Sequence, residues 1–459
     1  MNSILTLVDI VVPAVLIIVI FFVSKFTQYL KIEDNPSYRF YVKGVMIKVI
    51  GGISVCLIYV FYYQGGDTIN YFNDDTVIVN LLFKNPIQCF SYLIQGVNSV
   101  TWYYLDYETG WPIYSFDDQA FAVIRLTWIL ALVTFKSFIG TTILLAWISY
   151  FPIWRMYQIF ILEFPKLEKQ LAIAILFIPS VFFWGSGLLK DTITFSGVAL
   201  FTSSLYHAIV LKRQIFKNII FIALAAVILI SIKPYILFAL FPGSILWISG
   251  IFLTSVENEL LRKYITPILA LIAMFSGIIG LQLMGGVLGD YSVDKVLNKA
   301  VTTQTDLKSE HYQGSSFDIG EFDPTISGVL SKAPLAINAA LFRPYIWEAN
   351  NPAMLMSGIE NFILLIFSIY LTIKLRVINL FRLVFKHRML FFTVTFSLFF
   401  AFSVGLTTSN FGSLVRYKIP AIPFFLSSLI IIRHKYQEEQ SDETSEVESE
   451  TNLEQTLTT

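Results

Sequence analysis

The chain has 459 residues, of which 56% are hydrophobic and only 14% charged, and 32 Lys and Arg balance 32 Asp and Glu for a formal net charge of +0. Water-soluble domains usually carry about 25% charged residues, so water is excluded as the main solvent, and neutrality gives no basis for a nucleic-acid partner. Cys56 and Cys89 supply neither a disulfide framework nor a metal-ligand spacing, and His207, His311, His387 and His434 are scattered, so neither a metal nor another cofactor is expected.

Apolar runs near the ~20 residues needed to cross a bilayer recur along nearly the whole sequence. They predict an all-α, polytopic transmembrane helix bundle of about eleven or twelve helices, with amphipathic and loop elements on the extracytoplasmic face. The first run, residues 7–24, follows no basic stretch and precedes no small-residue cleavage site, so it is expected to be a retained helix.

Lys and Arg are held back during insertion and mark cytoplasmic loops. Lys212, Arg213 and Lys217 form one such cluster, and Lys374, Arg376, Arg382, Lys386 and Arg388 form another. Four apolar segments, 218–232, 235–253, 264–284 and 352–373, lie between them, an even number that returns the chain to the same side. Segments 389–408 and 419–432 follow and leave the C-terminus cytoplasmic. Lys25, Lys31, Arg39 and Lys43 place the first loop inside and the segment from Gln64 outside. Lys166 and Lys169 mark the loop before Leu171 as cytoplasmic, for which segments 120–135 and 138–154 give the wrong parity; either residues 76–100 cross, against Lys84, Asn85, Pro86 and Gln88, or, as expected, the run bearing Arg125 and Lys136 enters the membrane only partway. Residues 76–100 alternate apolar and polar types as in a helix lying in the headgroup plane. The expected organisation is a membrane domain over 1–436, with outer loops at about 63–119 and 285–351, and a disordered acidic cytoplasmic tail over 437–459.

With that topology five polar stretches fall on the outer face: GGDTINYFNDD from Gly65, GLLKD from Gly187, IKPY from Ile232, the long segment from about Gly285 to Asn351, and SNFGSLVRYK from Ser409. Asp67, Asp74 and Asp75 follow a membrane exit and a Gly pair. Lys190, Asp191 and Lys233 lie between apolar runs, where an ionised side chain needs an interface, a partner or a ligand. Arg343 and Glu348 precede a crossing, and Arg416 and Lys418 sit outside against the positive-inside trend. Acids and bases on one face fit an anionic substrate whose tail is in the membrane, such as a lipid-linked sugar phosphate, with a carboxylate as general base and cations on the leaving phosphate. Aromatic anchoring, turn formation and snorkelling account for the same residue types without a ligand.

The stretches GGDTINYF, PSVFFWGSGLLKD and NFGSLVRYKIPAIPF resemble multispanning glycosyltransferases of the C-type fold and related bacterial surface-polysaccharide proteins. The resemblance implies a polyprenyl-phosphate-linked sugar as donor, a glycan acceptor, membrane lipid as surroundings, and the bacterial inner (cytoplasmic) membrane as location. It assigns the base to Asp67, while the charge and topology reading supplies Asp74, Asp75, Lys190, Asp191, Lys233, Arg343, Glu348, Arg416 and Lys418 as candidate substrate contacts. A repeat-unit polymerase centred on Arg343 and Arg416 is also compatible with it. Gly- and Pro-interrupted stretches such as FIPSVFFWGSG leave a transporter or flippase of lipid-linked or anionic solutes open, and a non-catalytic scaffold docking through the acidic tail is a third alternative.

Overall fold

A computed structural model describes residues 5–253, 265, 268, 317, 319–320 and 325–457. The described residues form helices and no strand, as the recurrent apolar runs dictate: a chain in lipid must satisfy its backbone polar groups within each segment. Among the described residues six helices are long and apolar enough to cross a membrane, or eight when each of two bent pairs is counted as one span. The expected crossing at 264–284 and most of the long outer segment lie outside the described residues. The protein is a polytopic helical membrane protein, and its contacts divide it into two compact units.

The first unit holds α1 (Val8–Lys31), α2 (Tyr41–Leu57), α3 (Asp67–Lys84), α4 (Pro86–Gln95), α5 (Asp118–Val133), α6 (Phe138–Glu163), α8 (Pro179–Trp184), α9 (Lys190–Leu205) and α10 (Ile215–Ile232), together with residues 415–420; of α7 (Glu168–Leu176) it holds the two ends, residues 169–174 belonging to the second unit, and α11 (Pro234–Leu253) only begins in it. α6 packs against α1, α2 and α9, and α3 packs against α5. Close approach of α2 to α8 rests on Gly51, where an added Cβ would stand 2.3 Å from the Phe182 carbonyl oxygen. Small residues at helix contacts are the usual means of tight packing in lipid, where burial from water supplies no force between helices. Ile10, Val11, Val15 and Ile18 of α1 and Ile219, Leu224 and Val227 of α10 face outward, as lipid-exposed positions do.

α5 and α6 meet at 115°, a broken span or a re-entrant loop, which is consistent with the partial entry that parity requires. The elbow is capped: Ser137 accepts from the Gly140 N–H, and buried Asp9 of α1 accepts from the Ser137 hydroxyl at 2.8 Å and the Ile139 N–H at 3.1 Å. The other oxygen of Asp9 accepts from the Thr6 N–H and hydroxyl.

Residues 76–100 form parts of α3 and α4, interrupted at Asn85, whose side chain caps α4 ahead of Pro86. Pro cannot donate at the start of a helix and Asn satisfies the exposed N–H groups there, so the break is written into the Asn-Pro pair.

The second unit contains the rest of α11, then α12 (Ile326–Ser331), α13 (Ala333–Phe342), α14 (Pro352–Lys386), α15 (Arg388–Thr407), the start of α16 (Phe411–Tyr417) and α17 (Ile422–Leu457). α15 packs against α13 and α17. Arg376 leaves helical geometry at φ 59°, so the apolar part of α14 ends near the predicted limit, and the basic stretch beyond it is helical rather than a loop. Arg382 and Lys386 from that stretch both reach Glu439. The acidic stretch from 437, expected to be disordered, is described as helix to Leu457. It contains no Gly or Pro, and Glu438 pairs with His434 and Lys435 one turn earlier, which favours continuing the helix.

Candidate functional site

Four of the predicted residues, distant in sequence, meet in the first unit. Asp67 opens α3, Asp191 lies in the first turn of α9, Lys233 follows the last turn of α10, and Arg416 belongs to the returning segment 415–420. Both acids sit at helix N-termini, where the helix dipole favours negative charge.

The turns that place them follow from local sequence. α2 ends in a π-turn over Ile58–Tyr62, and the chain reverses into α3 through Gly65 and Gly66. Gly66 has φ +107°, a conformation that costs other residues dearly, and a Cβ there would lie 3.0 Å from the Tyr59 ring. Tyr59 is thereby held beneath the turn. Before α9 the chain breaks at Gly185–Leu189, where Lys48 of α2 donates to the Gly185 carbonyl and Thr192 donates to the Gly187 carbonyl at 2.6 Å.

Asp191 is 1% exposed and carries two cations: Lys233 donates to Oδ1 at 2.5 Å, and Arg416 Nε donates to Oδ2 at 3.3 Å. The rest of the Arg416 guanidinium is also engaged. Nη1 donates to the Tyr59 hydroxyl at 3.2 Å and Nη2 to Asp67 Oδ2 at 2.9 Å. Aromatic faces complete the lining, with the Lys233 ammonium 4.1 Å from the Tyr417 ring centre and the Arg416 guanidinium 5.6 Å from that of Trp184. Two carboxylates and two cations leave this core electrically balanced, so a buried charge is never left alone, the condition on which such a cluster survives away from water.

The cluster has an accessible edge. Asp67 is 44% exposed, and its Oδ1 accepts from the Tyr114 hydroxyl at 3.2 Å. Burial first, and the charge of Asp67 second, push the Tyr114 hydroxyl up to about 12, so it remains a donor at neutral pH. Beside it Lys190 pairs with Asp117 at 3.5 Å, the two side chains being 20% and 51% exposed.

The other predicted acids and bases stand apart from this cluster. Asp74 supports it from behind, accepting from the backbone N–H groups of Ile113 at 2.7 Å and Tyr114 at 2.9 Å. Burial outweighs those hydrogen bonds and pushes its carboxyl up to about 6. Asp75 is fully buried, accepts from Thr127 at 2.9 Å, and is pushed well above the usual carboxylate range by desolvation, and its burial offers no face to a substrate. Lys418 is buried as well. Arg343 and Glu348 belong to the second unit, where Arg343 Nε donates to both carboxylate oxygens at 3.1 Å and the guanidinium lies over Phe317 and Phe411. Glu348 also accepts from the Tyr345 N–H at 2.8 Å, closing a local cap.

Tyr59, Tyr114 and Asp117 were not singled out by sequence. Asp117 had a readable signal: it precedes an apolar run and accepts from the Gln119 and Ala120 N–H groups as a helix cap. The two tyrosines are hidden among 23 of their kind. Among the described residues no group of His, Cys, Asp and Glu is arranged to hold a metal ion.

Comparison of the chain with protein-family models, with curated proteins and with solved structures finds no match. Architecture and site therefore define the class: a polytopic helical membrane protein with a buried, charge-balanced cluster that opens to solvent at one carboxylate.

Proposed function

We propose that the protein is a membrane glycosyltransferase that moves a sugar from a polyprenyl-phosphate-linked donor to a glycan acceptor at the extracytoplasmic face of a bacterial inner membrane, with the C-terminus cytoplasmic. The observation that carries this reading is the meeting of Asp67, Asp191, Lys233 and Arg416 at the ends of apolar helices, with Asp67 exposed. In the reaction an acceptor hydroxyl oxygen attacks the anomeric carbon and gives its proton to Asp67. The bond from that carbon to the donor phosphate oxygen breaks, and the lipid phosphate leaves with the electron pair. Arg416, with Lys190 at the accessible edge, stabilises the charge that grows on the leaving phosphate, a role that suits fixed cations in a site of low polarity. Asp191 and Lys233 hold Arg416 in place.

One observation favours a second class. The break at Gly185–Leu189 and the π-turn at Ile58–Tyr62 interrupt helices beside the charged cluster, as in transporters whose discontinuous helices surround a substrate. A polymerase shares the acceptor chemistry of the first reading. Mass analysis of the lipid-linked intermediates that accumulate without the protein separates them. A glycan lacking a sugar supports transfer, whereas complete single repeats point to polymerisation or flipping and remove the transferase reading.

A further inference from the structure

We infer that Asp67 is an exchangeable counter-anion of Arg416, displaced by a phosphate-bearing ligand, so that ligand capture and release of the carboxylate are one event. The inference rests on the transfer reading for its purpose and on the geometry of the cluster for its mechanics. Arg416 is 17% exposed and each of its three guanidinium nitrogens already has a partner, Nε in Asp191, Nη1 in Tyr59 and Nη2 in Asp67, so a new anion competes with these three for the guanidinium.

Two of the three are fixed. Asp191 is 1% exposed, has Lys233 as a second cation and stands at the N-terminus of α9, so its departure would leave buried positive charge behind. Tyr59 is buried under the Gly66 turn. Asp67 shares the helix N-terminus but differs in exposure and in its direct ion pairs. It is 44% exposed, its one direct salt bridge among the described residues is to Arg416, and the Tyr114 hydroxyl on its other oxygen is positioned to keep it at the site after Arg416 lets go. A phosphate monoester, the form in which the lipid phosphate leaves and in which farnesyl phosphate binds, carries about −1.5 to −2 at neutral pH against −1 for a carboxylate, which makes it the stronger competitor for Nη2. Capture of the ligand then unmasks the group that must accept the acceptor's proton, and the carboxylate stays paired while the site is empty.

The test measures calorimetric binding of farnesyl phosphate and of inorganic phosphate to the full-length protein in detergent, for the wild type and for Asp67→Asn, Asp67→Ala and Asp67→Glu. Exchange predicts that removing the competing carboxylate raises phosphate affinity by about fivefold to tenfold in both the Asn and Ala variants, while Asp67→Glu, which keeps a carboxylate in reach, stays within about twofold of wild type. The two neutral variants are read together so that the result does not rest on the folding of one. Unchanged or weaker binding in both overturns the exchange, as does a wild type that binds neither probe. Farnesyl phosphate binding more tightly than inorganic phosphate assigns the ligand to a lipid source, and equal affinities assign it to a free anion. The outcomes separate from those of the transfer reading: tighter binding with unaltered lipid-linked intermediates in the deletion strain keeps the exchange and removes the transferase, and a truncated glycan with wild-type affinity in the variants does the reverse.

Discussion

Lys48, in the interior of α2, donates to the carbonyl oxygen of Gly185 at the break before α9. A lysine buried among apolar helices is thus spent on a single backbone carbonyl that no helix satisfies, and the turn it holds leads directly to Lys190 and Asp191. Replacing Lys48 by Met leaves that carbonyl without its charged donor. An orphaned buried acceptor costs about 1–3 kcal/mol, and Lys48→Met is expected to lower the melting temperature in detergent and to weaken complementation of a deletion strain. Unchanged melting and full complementation would show that the turn stands without it.

Asp191 and Lys233 form a buried pair in which each partner compensates the other. Asp191→Asn strands Lys233 and half of Arg416, and breaking such a pair costs about 3–5 kcal/mol. The double variant Asp191→Asn, Lys233→Met is expected to recover part of that loss, because it removes the stranded cation as well. Melting temperatures of the two single variants and the double variant form the cycle that checks this, and strictly additive losses would count against the pairing.

Asp74 predicts a pH dependence. Its carboxyl is raised from the ordinary 3.8 to about 6 in the folded protein, so the folded state takes up its proton more readily than the unfolded chain. The stabilising contribution is fully present below 3.8 and is lost as pH rises through about 6. Asp74→Asn should therefore remove a gain in melting temperature that the wild type shows on going from pH 7 to pH 4.5. The same slope in both proteins would assign the effect to other groups.

Gly66 combines a positive φ with a Cβ position 3.0 Å from the Tyr59 ring. Gly66→Ala is expected to cost about 1 kcal/mol or more in backbone strain and to push Tyr59 away from Arg416. Gly65→Ala has no neighbour within 4 Å of its Cβ, so it carries backbone strain alone and serves as the comparison. Equal melting losses for the two would mean that the Tyr59 contact is unimportant.

Much of the bundle was legible because lipid imposes long apolar runs: 218–232 corresponds to α10, 235–253 to α11 and 389–408 to α15, each within a few residues. The grouping of Asp67, Asp191, Lys233 and Arg416 was also foreshadowed, since charge topology sends their four segments to one side and polar groups there have few alternatives to each other. The division of labour among the acids was not. Asp67 and Asp74 are two turns apart on one stripe of α3, and both meet residues 113–114, one through the Tyr114 hydroxyl and the other through backbone N–H groups. Asp75 is one residue further round, which turns it into the contact with α5 and Thr127. Composition alone treats the three as equivalent, and only the rotation of the helix separates them. Arg343 and Glu348, read from the sequence as candidate substrate contacts, lie five residues apart and pair with each other, so an Arg that stands out in a hydrophobic context is already answered within its own segment.

The fastening of α1 to the α5–α6 elbow has a consequence for biogenesis. Asp9 lies at the very start of the first helix, yet its partners Ser137 and Ile139 emerge from the ribosome some 130 residues later. Until the elbow arrives Asp9 has only the Thr6 N–H and hydroxyl on one of its oxygens, and the other oxygen gains its donors only once that later segment is in place.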